Sequence, residues 1–324
     1  MPVLREIRKP VDKEMHKFES FFYRTMQSNI PLLRIILNYI LRRKGKQMRP
    51  LLVFLTAGLN GKISESTYVA ATLIELLHTA SLVHDDVVDD AYERRGALSV
   101  NALWNSKIAV LVGDYMLSKG LLISIEKSAF EMLEIVSEAV KSMAEGELLQ
   151  IQKARKLNIT EADYYKIIIS KTAALIAACT ATGARSVCED PDTIQQMKDF
   201  GENLGIAFQI RDDLLDYESN GLTGKIVGND IKEKKLTLPL IHALEVASAS
   251  QKRQILSIVK NKKKTKTEIN EVIDFVSTSG GTSYALLKMN QFRDKALAIL
   301  DSYPDSDYKN SLKEFAFYTT TRNK

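Results

Sequence analysis

Two groups of aspartates with the same spacing are the residues of this sequence best suited to bind or transform a ligand. Each group has carboxylates at positions i, i+1 and i+4, so in a helix the first and last lie on one face, one turn apart. The groups are Asp85, Asp86 and Asp89, followed by Asp90, and Asp212, Asp213 and Asp216. Their spacing predicts two sets of helical carboxylates that act on a shared ligand.

Both groups stand near the predicted C-terminal end of a helix, which is an unfavourable position for negative charge. The helix dipole destabilises each carboxylate there by about 0.3–1 kcal/mol, and like charges one turn apart add to this. Carboxylates without cysteine or clustered histidine suit a hard ion such as Mg²⁺, which binds one or two carboxylates together with phosphate oxygens. The sequence therefore predicts a diphosphate held through bridging magnesium ions. Two solvated acidic helix ends are the alternative.

Diphosphate recognition also requires fixed positive groups. Several cations stand close to predicted helix ends or to the carboxylates, and any one of them alone is typical of a solvated surface charge. They are Lys46, Arg49, Arg94, Arg95, Lys171, Lys225 and Lys235. Their joint occurrence favours a diphosphate site.

Two other kinds of site are poorly supported. Glu75 and His78 form a Glu-x-x-His pair, but a di-iron bundle requires that pair twice, and no other histidine supplies it. A phosphate-binding P-loop is excluded because Ile226 follows Gly224-Lys225, where that motif requires Ser or Thr.

Two long helices are predicted to position the aspartates. The first begins after Ser64, a good N-cap residue, and is predicted to continue to Gly96. The second begins at Asp190-Pro191 and is predicted to end at Asn220-Gly221. Each would contain about 30 residues and be about 40 Å long.

Other apolar-periodic stretches are found at 32–41, 49–59, 107–122, 130–152, 161–184 and 236–246. Alternating strand patterns, two-residue hairpin turns, fixed repeats and Pro/Ser-rich linkers are missing. The sequence therefore predicts an all-α fold with a single domain over residues 1–324.

Composition limits the functional classes. Of 324 residues, 45% are hydrophobic and 26% charged, with a net charge of +5 and two cysteines. This is typical of a reduced cytoplasmic protein, and we expect no signal peptide and no membrane span. The basic stretch Lys260–Lys266 is interpreted as a solvated loop, or at most a peripheral contact with anionic lipid. Nucleic-acid binding is not supported, because no aromatic residues interleave the stretch.

The chain resembles the trans-isoprenyl diphosphate synthases (polyprenyl synthetases) over roughly residues 40 to 245. The motifs stand in the family's order without departure. They are Gly-Lys-x-x-Arg-Pro at 45–50, His78, Leu-Val-His-Asp-Asp-Val-Val-Asp-Asp at 82–90, Arg-Arg-Gly at 94–96, Lys-Thr at 171–172, Phe-Gln-x-x-Asp-Asp-x-x-Asp at 208–216, and Gly-Lys-x-x-Gly-x-Asp-x-x-x-x-Lys-x-Thr-x-Pro at 224–239. The resemblance implies the isoprenoid synthase fold, a bundle of long, mostly antiparallel helices around a deep central cavity, and a homodimer.

The resemblance also implies residue roles. The metal ligands for two or three Mg²⁺ ions would be Asp85, Asp89 and Asp212, supported by Asp86, Asp213 and Asp216. Isopentenyl diphosphate would be held by Lys46, Arg49, His78 and Arg95. The allylic diphosphate would be held by Arg94, Lys171, Thr172, Gln209, Lys225 and Lys235. The catalytic set would be Asp85, Asp86, Asp89, Lys171, Asp212, Asp213 and Lys225. Asp90 is expected to be solvated or to support the ligands, and His84 to make a local hydrogen bond.

The implied reaction is ionisation of the allylic diphosphate, condensation with isopentenyl diphosphate, and loss of a proton. Ala80 and Ser81 stand about one turn before Asp85 and are small; in this family small residues there resemble the long-chain enzymes, with roughly six to ten isoprene units for a quinone side chain. The alternatives are a short-chain synthase, a class I terpene cyclase, or a non-catalytic subunit of a heteromeric synthase. Residues 315–324 are expected either to close over the diphosphate site or to be a frayed tail.

Overall fold

The computed structural model describes residues 2–42, 45–94, 96–218 and 228–322, which are helical almost throughout. The first helices are α1 (Pro2–Arg8), α2 (Asp12–Thr25), α3 (Pro31–Arg42), α4 (Met48–Asn60), α5 (Glu65–Val88), α6 (Val100–Trp104) and α7 (Ser106–Glu126), with a 3₁₀ turn at Lys9–Val11. The next are α8 (Phe130–Lys156), α9 (Glu161–Ile168), α10 (Ala174–Arg185), α11 (Pro191–Leu215), α12 (Asn229–Lys232) and α13 (Leu238–Val246), with a π-helical turn at Ile169–Ala173. The last are α14 (Ala249–Lys260), α15 (Lys266–Thr278), α16 (Gly281–Asp301) and α17 (Asp307–Thr321). The predicted all-α class is confirmed.

One small hairpin interrupts the helices. Strands β1 (Glu93–Arg94) and β2 (Ala97–Leu98) pair antiparallel, with Glu93 opposite Leu98 and Arg94 opposite Ala97. The expectation that hairpins are missing is therefore wrong at this place. The strands are too short to show an alternating pattern in the sequence.

Helix α5 begins where the sequence indicates and ends earlier than expected. Ser64 forms a capping box with Thr67 at its start. At its end the N–H of Ala91 donates to the carbonyl of Asp86 at 2.9 Å, and Asp90 takes a left-handed conformation with φ 48°. This is a Schellman motif with aspartate in the position usually held by glycine. The predicted continuation to Gly96 is wrong because this motif ends the helix at Val88.

Helix α11 also begins as predicted, since Asp190 Oδ2 accepts a hydrogen bond from the N–H of Thr193 at 2.9 Å and Pro191 is the first helical residue. It ends at Leu215, before the expected end. The predicted closing residues 220–221 lie outside the described residues.

The chain divides into two compact units. The first comprises Met1–Val140, Ala178–Lys198 and Tyr303–Leu312, and the second comprises Lys141–Ala177, Asp199–Ser302 and Lys313–Lys324. In the first unit, Phe18, Phe54 and Leu73 are fully buried. In the second, Ile210 and Leu238 belong to one apolar cluster with residues of α9, α13, α15 and α16. The single domain expected for residues 1–324 stays a prediction.

By length and composition alone, three helical segments are apolar enough to cross a membrane: Glu65–Val88, Ser106–Glu126 and Glu161–Arg185. In the first and third, 67% of the most apolar window is buried inside the protein, but in the second only 39% is buried. The expectation that no segment spans a membrane stays a prediction.

The C-terminal segment is ordered as helix α17 up to Thr321, and Phe315 and Ala316 are buried. The expectation of a frayed tail is therefore wrong for the described part of this segment. The basic stretch forms the loop between α14 and α15, as the solvated-loop interpretation expects.

Candidate functional site

The first acidic motif lies at the C-terminal end of α5 and separates into exposed and buried carboxylates. Asp85 and Asp89 are exposed, one turn apart, whereas Asp86 is buried. Asp86 Oδ1 accepts a hydrogen bond from Nε of Arg94, on strand β1, at 2.5 Å. This ion pair connects the hairpin to the helix, and Asp85 and Asp89 are left exposed to solvent together with Asp90.

The second acidic motif, on α11, shows the same division. Asp212 is exposed and Asp213 is buried. Asp213 accepts hydrogen bonds from the hydroxyl of Tyr164 at 2.7 Å and from Nε2 of Gln209 at 2.8 Å. Burial raises the pKa of Asp213 to about 8, and these two hydrogen bonds act in the opposite direction. The two donors thus favour the charged form of a carboxylate that burial destabilises.

Asp216, the last aspartate of the second motif, accepts hydrogen bonds from the backbone. Its two carboxylate oxygens accept hydrogen bonds from the N–H groups of Asn229 at 3.0 Å and Asp230 at 2.9 Å. Both donors lie at the start of the short helix α12. Burial, with the nearby charge of Asp216 in addition, raises the pKa of Asp230 to about 6. Asp216 therefore connects α11 to the segment that follows the second motif.

A π-helical turn presents two of the predicted diphosphate ligands. Lys171 and Thr172 lie within it, and such turns are frequent at functional sites. Lys171 forms an ion pair with Glu147 on α8. Thr172 Oγ1 donates a hydrogen bond to Gln209 Oε1 at 2.8 Å. The side chain of Lys171 thus connects the turn to α8, and that of Thr172 connects it to α11.

Two glycines allow close helix contacts with this turn. A methyl group at Gly146 on α8 would lie 2.8 Å from Cβ of Ser170, and one at Gly205 on α11 would lie 2.5 Å from Cα of Ala173. Both distances are below any normal carbon–carbon contact. Glycine at these positions therefore permits α8 and α11 to lie close to the π-helical turn. The close approach of α11 brings Thr172 to Gln209.

The predicted ligands of isopentenyl diphosphate are placed around the start of α4 and on α5. Lys46 is exposed just before α4, and Arg49 is in the first turn of α4. Gln47, the last residue before α4, has φ 50°, so the chain turns sharply into the helix. His78 is buried on α5. Lys46 and Arg49 lie at the N-terminal end of α4, where the helix dipole disfavours positive charge, and a bound anion would offset this cost.

The predicted chain-length residues differ in their surroundings. Ala80 is completely buried, whereas Ser81 is half-buried and donates a hydrogen bond to the carbonyl of His78 at 2.8 Å. His84, further along the same helix, has its Nε2 3.2 Å from the carbonyl oxygen of Val110. This is the local hydrogen bond expected for His84.

Lys235 lies between α12 and α13 and pairs with Glu233 at 2.6 Å. Burial lowers the pKa of Lys235, but the hydrogen bond and charge of Glu233 outweigh burial and raise it above its usual value. Arg95 and Lys225, which complete the predicted set, lie outside the described residues.

The structure groups the predicted residues within each unit. The first unit contains Lys46, Arg49, His78, Ala80, Ser81, Asp85, Asp86, Asp89 and Arg94; the second contains Lys171, Thr172, Gln209, Asp212, Asp213, Asp216 and Lys235. Direct contacts join Asp86 to Arg94 in the first unit and Asp213, Gln209 and Thr172 in the second. That the two sets serve one site stays a prediction.

Three residues in contact with the predicted set received no role from the sequence: Tyr164, Glu147 and Asp230. A fourth, Arg322, follows α17 and lies in the C-terminal segment that was expected either to close over the diphosphate site or to fray. Its Nη2 lies 3.0 Å from Asp212 Oδ1, and its guanidinium lies 4.1 Å from the ring centre of Phe208. No spacing rule connects a residue at position 322 with one at 212. Such a contact becomes visible only in the folded chain.

The donor chemistry suits a hard divalent cation. Asp85, Asp89 and Asp212 offer exposed oxygen ligands, and neighbouring carboxylates are withdrawn into hydrogen bonds. Among residues 2–42, 45–94, 96–218 and 228–322, no three Asp, Glu, His or Cys side chains form a complete metal-binding cluster by themselves. Mg²⁺ is commonly bound by one or two carboxylates with substrate phosphate oxygens, so the residues present fit that ion.

Comparison with known proteins identifies the family. Residues 30–276 match the profile of the polyprenyl synthetases. The chain is 34% identical to the octaprenyl diphosphate synthase of Haemophilus influenzae over 324 residues, covering 98% of this chain and 97% of the relative. The chain belongs to the polyprenyl synthetase family. The resemblance noted in the sequence is thus confirmed.

Solved structures of this family share the fold over nearly the whole chain. The decaprenyl diphosphate synthase from Rhodobacter capsulatus has a TM-score of 0.93 and 31% identity, covering 99% of both chains. A polyprenyl synthase from Caulobacter crescentus, complexed with calcium and isoprenyl diphosphate, has a TM-score of 0.89 and 31% identity, covering 99% of this chain and 98% of that one. This polyprenyl synthetase therefore has the all-α isoprenoid synthase fold and is a prenyltransferase.

Proposed function

We propose that this polyprenyl synthetase condenses isopentenyl diphosphate repeatedly with an allylic diphosphate to form a long-chain all-trans polyprenyl diphosphate. The observation that carries the proposal is the division of both acidic motifs. Each presents exposed carboxylates, Asp85 and Asp89 in one and Asp212 in the other, beside a buried carboxylate fixed by hydrogen bonds. The octaprenyl and decaprenyl synthases among the similar proteins support the long product.

In the proposed reaction, the exposed aspartates Asp85, Asp89 and Asp212 would hold two or three Mg²⁺ ions, which would supply positive charge to the departing diphosphate. Lys171 and Thr172 in the π-helical turn, with Gln209, orient the allylic diphosphate. Lys46 and Arg49 hold isopentenyl diphosphate, so that its double bond is close to the allylic carbon. The fixed cations stabilise the charge that develops on the diphosphate in the transition state more than they stabilise the ground state.

The chemistry balances without a dedicated protein base. The allylic C–O bond breaks, and the electron pair leaves with the diphosphate. The double bond of isopentenyl diphosphate forms the new C–C bond with the allylic cation, and the product then loses a proton, which the released diphosphate accepts. Apolar helix faces exclude water, which otherwise captures the cation as an alcohol.

The test is an assay of the purified protein with labelled isopentenyl diphosphate, several allylic primers and Mg²⁺. We expect products of roughly six to ten isoprene units, and we expect Asp85→Ala and Asp212→Ala each to lose at least about a hundredfold in turnover while remaining folded by circular dichroism. Asp90→Asn is the matched control, because it removes an exposed charge at the same helix end and asparagine tolerates the left-handed conformation. Near-normal turnover of the alanine variants would contradict the metal assignment; a cyclic product, or no product from the lone chain, would contradict the proposed reaction.

The proposal includes a homodimer formed through α7. One side of this helix exposes Leu111, Leu122 and Ile125, each more than half exposed, over about four turns. An extended apolar surface of this kind is typical of a contact with a second copy. Leu122→Glu should shift the protein from dimer to monomer in analytical ultracentrifugation, whereas Leu287→Glu, at a similarly exposed leucine on α16, should not. A dimer that survives the first change would contradict this interface.

A further inference from the structure

Tyr164 is a buried residue that the reaction outlined above does not use. Its side chain lies on α9 in an apolar cluster with Ala207, Ile210 and Leu214 of α11. Within this cluster its hydroxyl donates to Oδ2 of Asp213 at 2.7 Å. A buried hydroxyl and a buried carboxylate each cost free energy unless they are hydrogen-bonded, so this contact is a structural requirement of placing Asp213 inside the protein.

The hydrogen bond is one end of a chain of side chains that reaches the π-helical turn. The second oxygen of Asp213 accepts from Nε2 of Gln209 at 2.8 Å, and Oε1 of Gln209 accepts from Oγ1 of Thr172 at 2.8 Å. These partners fix the orientation of the Gln209 amide, because its NH₂ faces a carboxylate and its oxygen faces a hydroxyl. Tyr164 and Gln209 together occupy both oxygens of Asp213.

The position of Asp213 also affects its neighbour, Asp212. Consecutive helical residues point about 100° apart. When Asp213 is held toward α9, Asp212 therefore points away from the apolar cluster, and it is exposed to solvent. Without the hydroxyl of Tyr164, Oδ2 of Asp213 would lose its hydrogen-bond donor inside the apolar cluster. The carboxylate would then turn toward solvent, and both Asp212 and Gln209 would lose their present constraint.

We propose that Tyr164 is a positioning residue for the second acidic motif. Its hydroxyl holds Asp213 in place, so that Asp212 faces the metal and Gln209 supports Thr172 in binding the allylic diphosphate. The inference rests on the proposed function for the roles of Asp212 and Thr172. It goes beyond that function because it assigns a role to a buried tyrosine that the proposed reaction does not use.

The test compares Tyr164→Phe with Tyr217→Phe. The hydroxyl of Tyr217 also lies in the same cluster and is buried, but it shares its hydrogen bond with Thr237 Oγ1 at 2.9 Å instead of a carboxylate. Both variants lose one buried hydroxyl, so a merely structural role predicts similar losses of stability and similar kinetics. Of the two variants, we expect only Tyr164→Phe to reduce kcat/KM for the allylic diphosphate and to raise the Mg²⁺ concentration for half-maximal rate, each by about tenfold, as for a buried acceptor left without its donor.

A second readout is independent of turnover. Binding of inorganic pyrophosphate in the presence of Mg²⁺, measured by calorimetry, should weaken about tenfold in Tyr164→Phe and stay within about twofold in Tyr217→Phe. Asp213→Asn should weaken binding as well, and adding Tyr164→Phe to it should produce no further loss, because Tyr164 acts only through Asp213.

The outcomes separate this inference from the proposed function. Equal behaviour of the two tyrosine variants, or losses from Tyr164→Phe and Asp213→Asn that add fully in the double variant, would overturn the role of Tyr164. If the unaltered protein transfers no prenyl group, the proposed function fails, and the pyrophosphate titration still decides whether Tyr164 positions an anion and metal site.

Discussion

Replacing Gly205 with alanine should reduce stability and catalysis together, because α11 contacts the π-helical turn through this residue. The added methyl group would lie 2.5 Å from Cα and 2.8 Å from Cβ of Ala173. The nearest atom belongs to the backbone, so no side-chain rotation relieves the contact. An ordinary separation of about 3.5–4 Å requires α11 and the turn to move apart by about 1 Å.

The magnitude follows from two opposing effects. Overpacking of a well-packed interior costs about 1–3 kcal/mol, and a backbone contact this close belongs at the upper end. Alanine in a helix interior is about 1 kcal/mol more stable than glycine. We therefore expect a net loss of about 2 kcal/mol in the free energy of unfolding.

The same displacement predicts a catalytic effect. Gln209 lies one turn after Gly205, and its hydrogen bond to Thr172 measures 2.8 Å. Moving α11 by about 1 Å stretches this bond beyond the range in which it contributes. The KM for the allylic diphosphate should then rise, while the affinity for isopentenyl diphosphate, assigned to residues near α4, should change little.

Gly120→Ala on α7 is the matched control, because a methyl group there would lie 3.8 Å from Cδ2 of Leu73 and 4.0 Å from Cδ2 of Leu77, which is ordinary contact. It should leave stability unchanged or increase it by up to about 1 kcal/mol. Both variants are compared by urea denaturation and by steady-state kinetics with each substrate. The reasoning is refuted if Gly205→Ala is as stable as the unaltered protein, or if both alanines are destabilising to the same extent.

Three further predictions concern other contacts. Arg322→Ala should strengthen binding of Mg²⁺ with pyrophosphate about three- to fivefold by calorimetry, because the guanidinium 3.0 Å from Asp212 Oδ1 competes with a cation; weaker binding would mean that Arg322 contacts the diphosphate instead. Asp163→Asn should destabilise the protein by about 1 kcal/mol at pH 7, since Asp163 completes the capping box of α9. Hydrogen bonds, chiefly the one from Lys153, lower the pKa of Asp163 to about 2. The stability that Asp163 contributes is therefore complete above its unfolded-state pKa of 3.8 and disappears as the pH falls toward 2. If the urea midpoints of the variant and the unaltered protein differed equally at all pH values, this prediction would be contradicted. Ser81→Phe should shorten the main product on thin-layer chromatography, and it is a better test than Ala80→Phe because Ala80 is completely buried and a larger side chain there would be overpacked.

The parts of the fold that depend on neighbouring residues were predictable from the sequence. The capping box at Ser64 and the cap at Asp190 with Pro191 locate the starts of the two long helices correctly. Both signals act within four residues, so they are visible in the sequence. The C-terminal end of α5 was misplaced because its left-handed residue, at position 90, is an aspartate, which is a weaker stop signal than glycine.

The candidate site was predictable in its residue types but not in its connections. The two aspartate spacings indicate which side chains share a helix face. Asp85 and Asp89 are both exposed, as their spacing suggests, whereas in the second motif Asp212 is exposed and Asp216 is half-buried. Tyr164 has no such signal, because its partner is 49 residues away in the chain. For Arg322, the sequence indicated the C-terminal segment but not the partner, Asp212, which is 110 residues away. The π-helical turn was also missed, since its sequence is compatible with a regular helix and its close glycine contacts come from α8 and α11.

The π-helical turn also constrains how this segment tolerates changes in length. Such a turn contains one residue more than a regular helical turn. Deleting one residue between Ile169 and Ala173 would therefore restore an uninterrupted α-helix and leave the parts before and after it at nearly their present angle, because the widened turn already accommodates the extra residue. Tyr164 would still point toward α11, but Lys171 and Thr172, which lie inside the turn, would change direction. A single-residue deletion here would thus yield a more regular helix that loses the placement of its two predicted diphosphate ligands, whereas the loop between α14 and α15 has no such angular requirement.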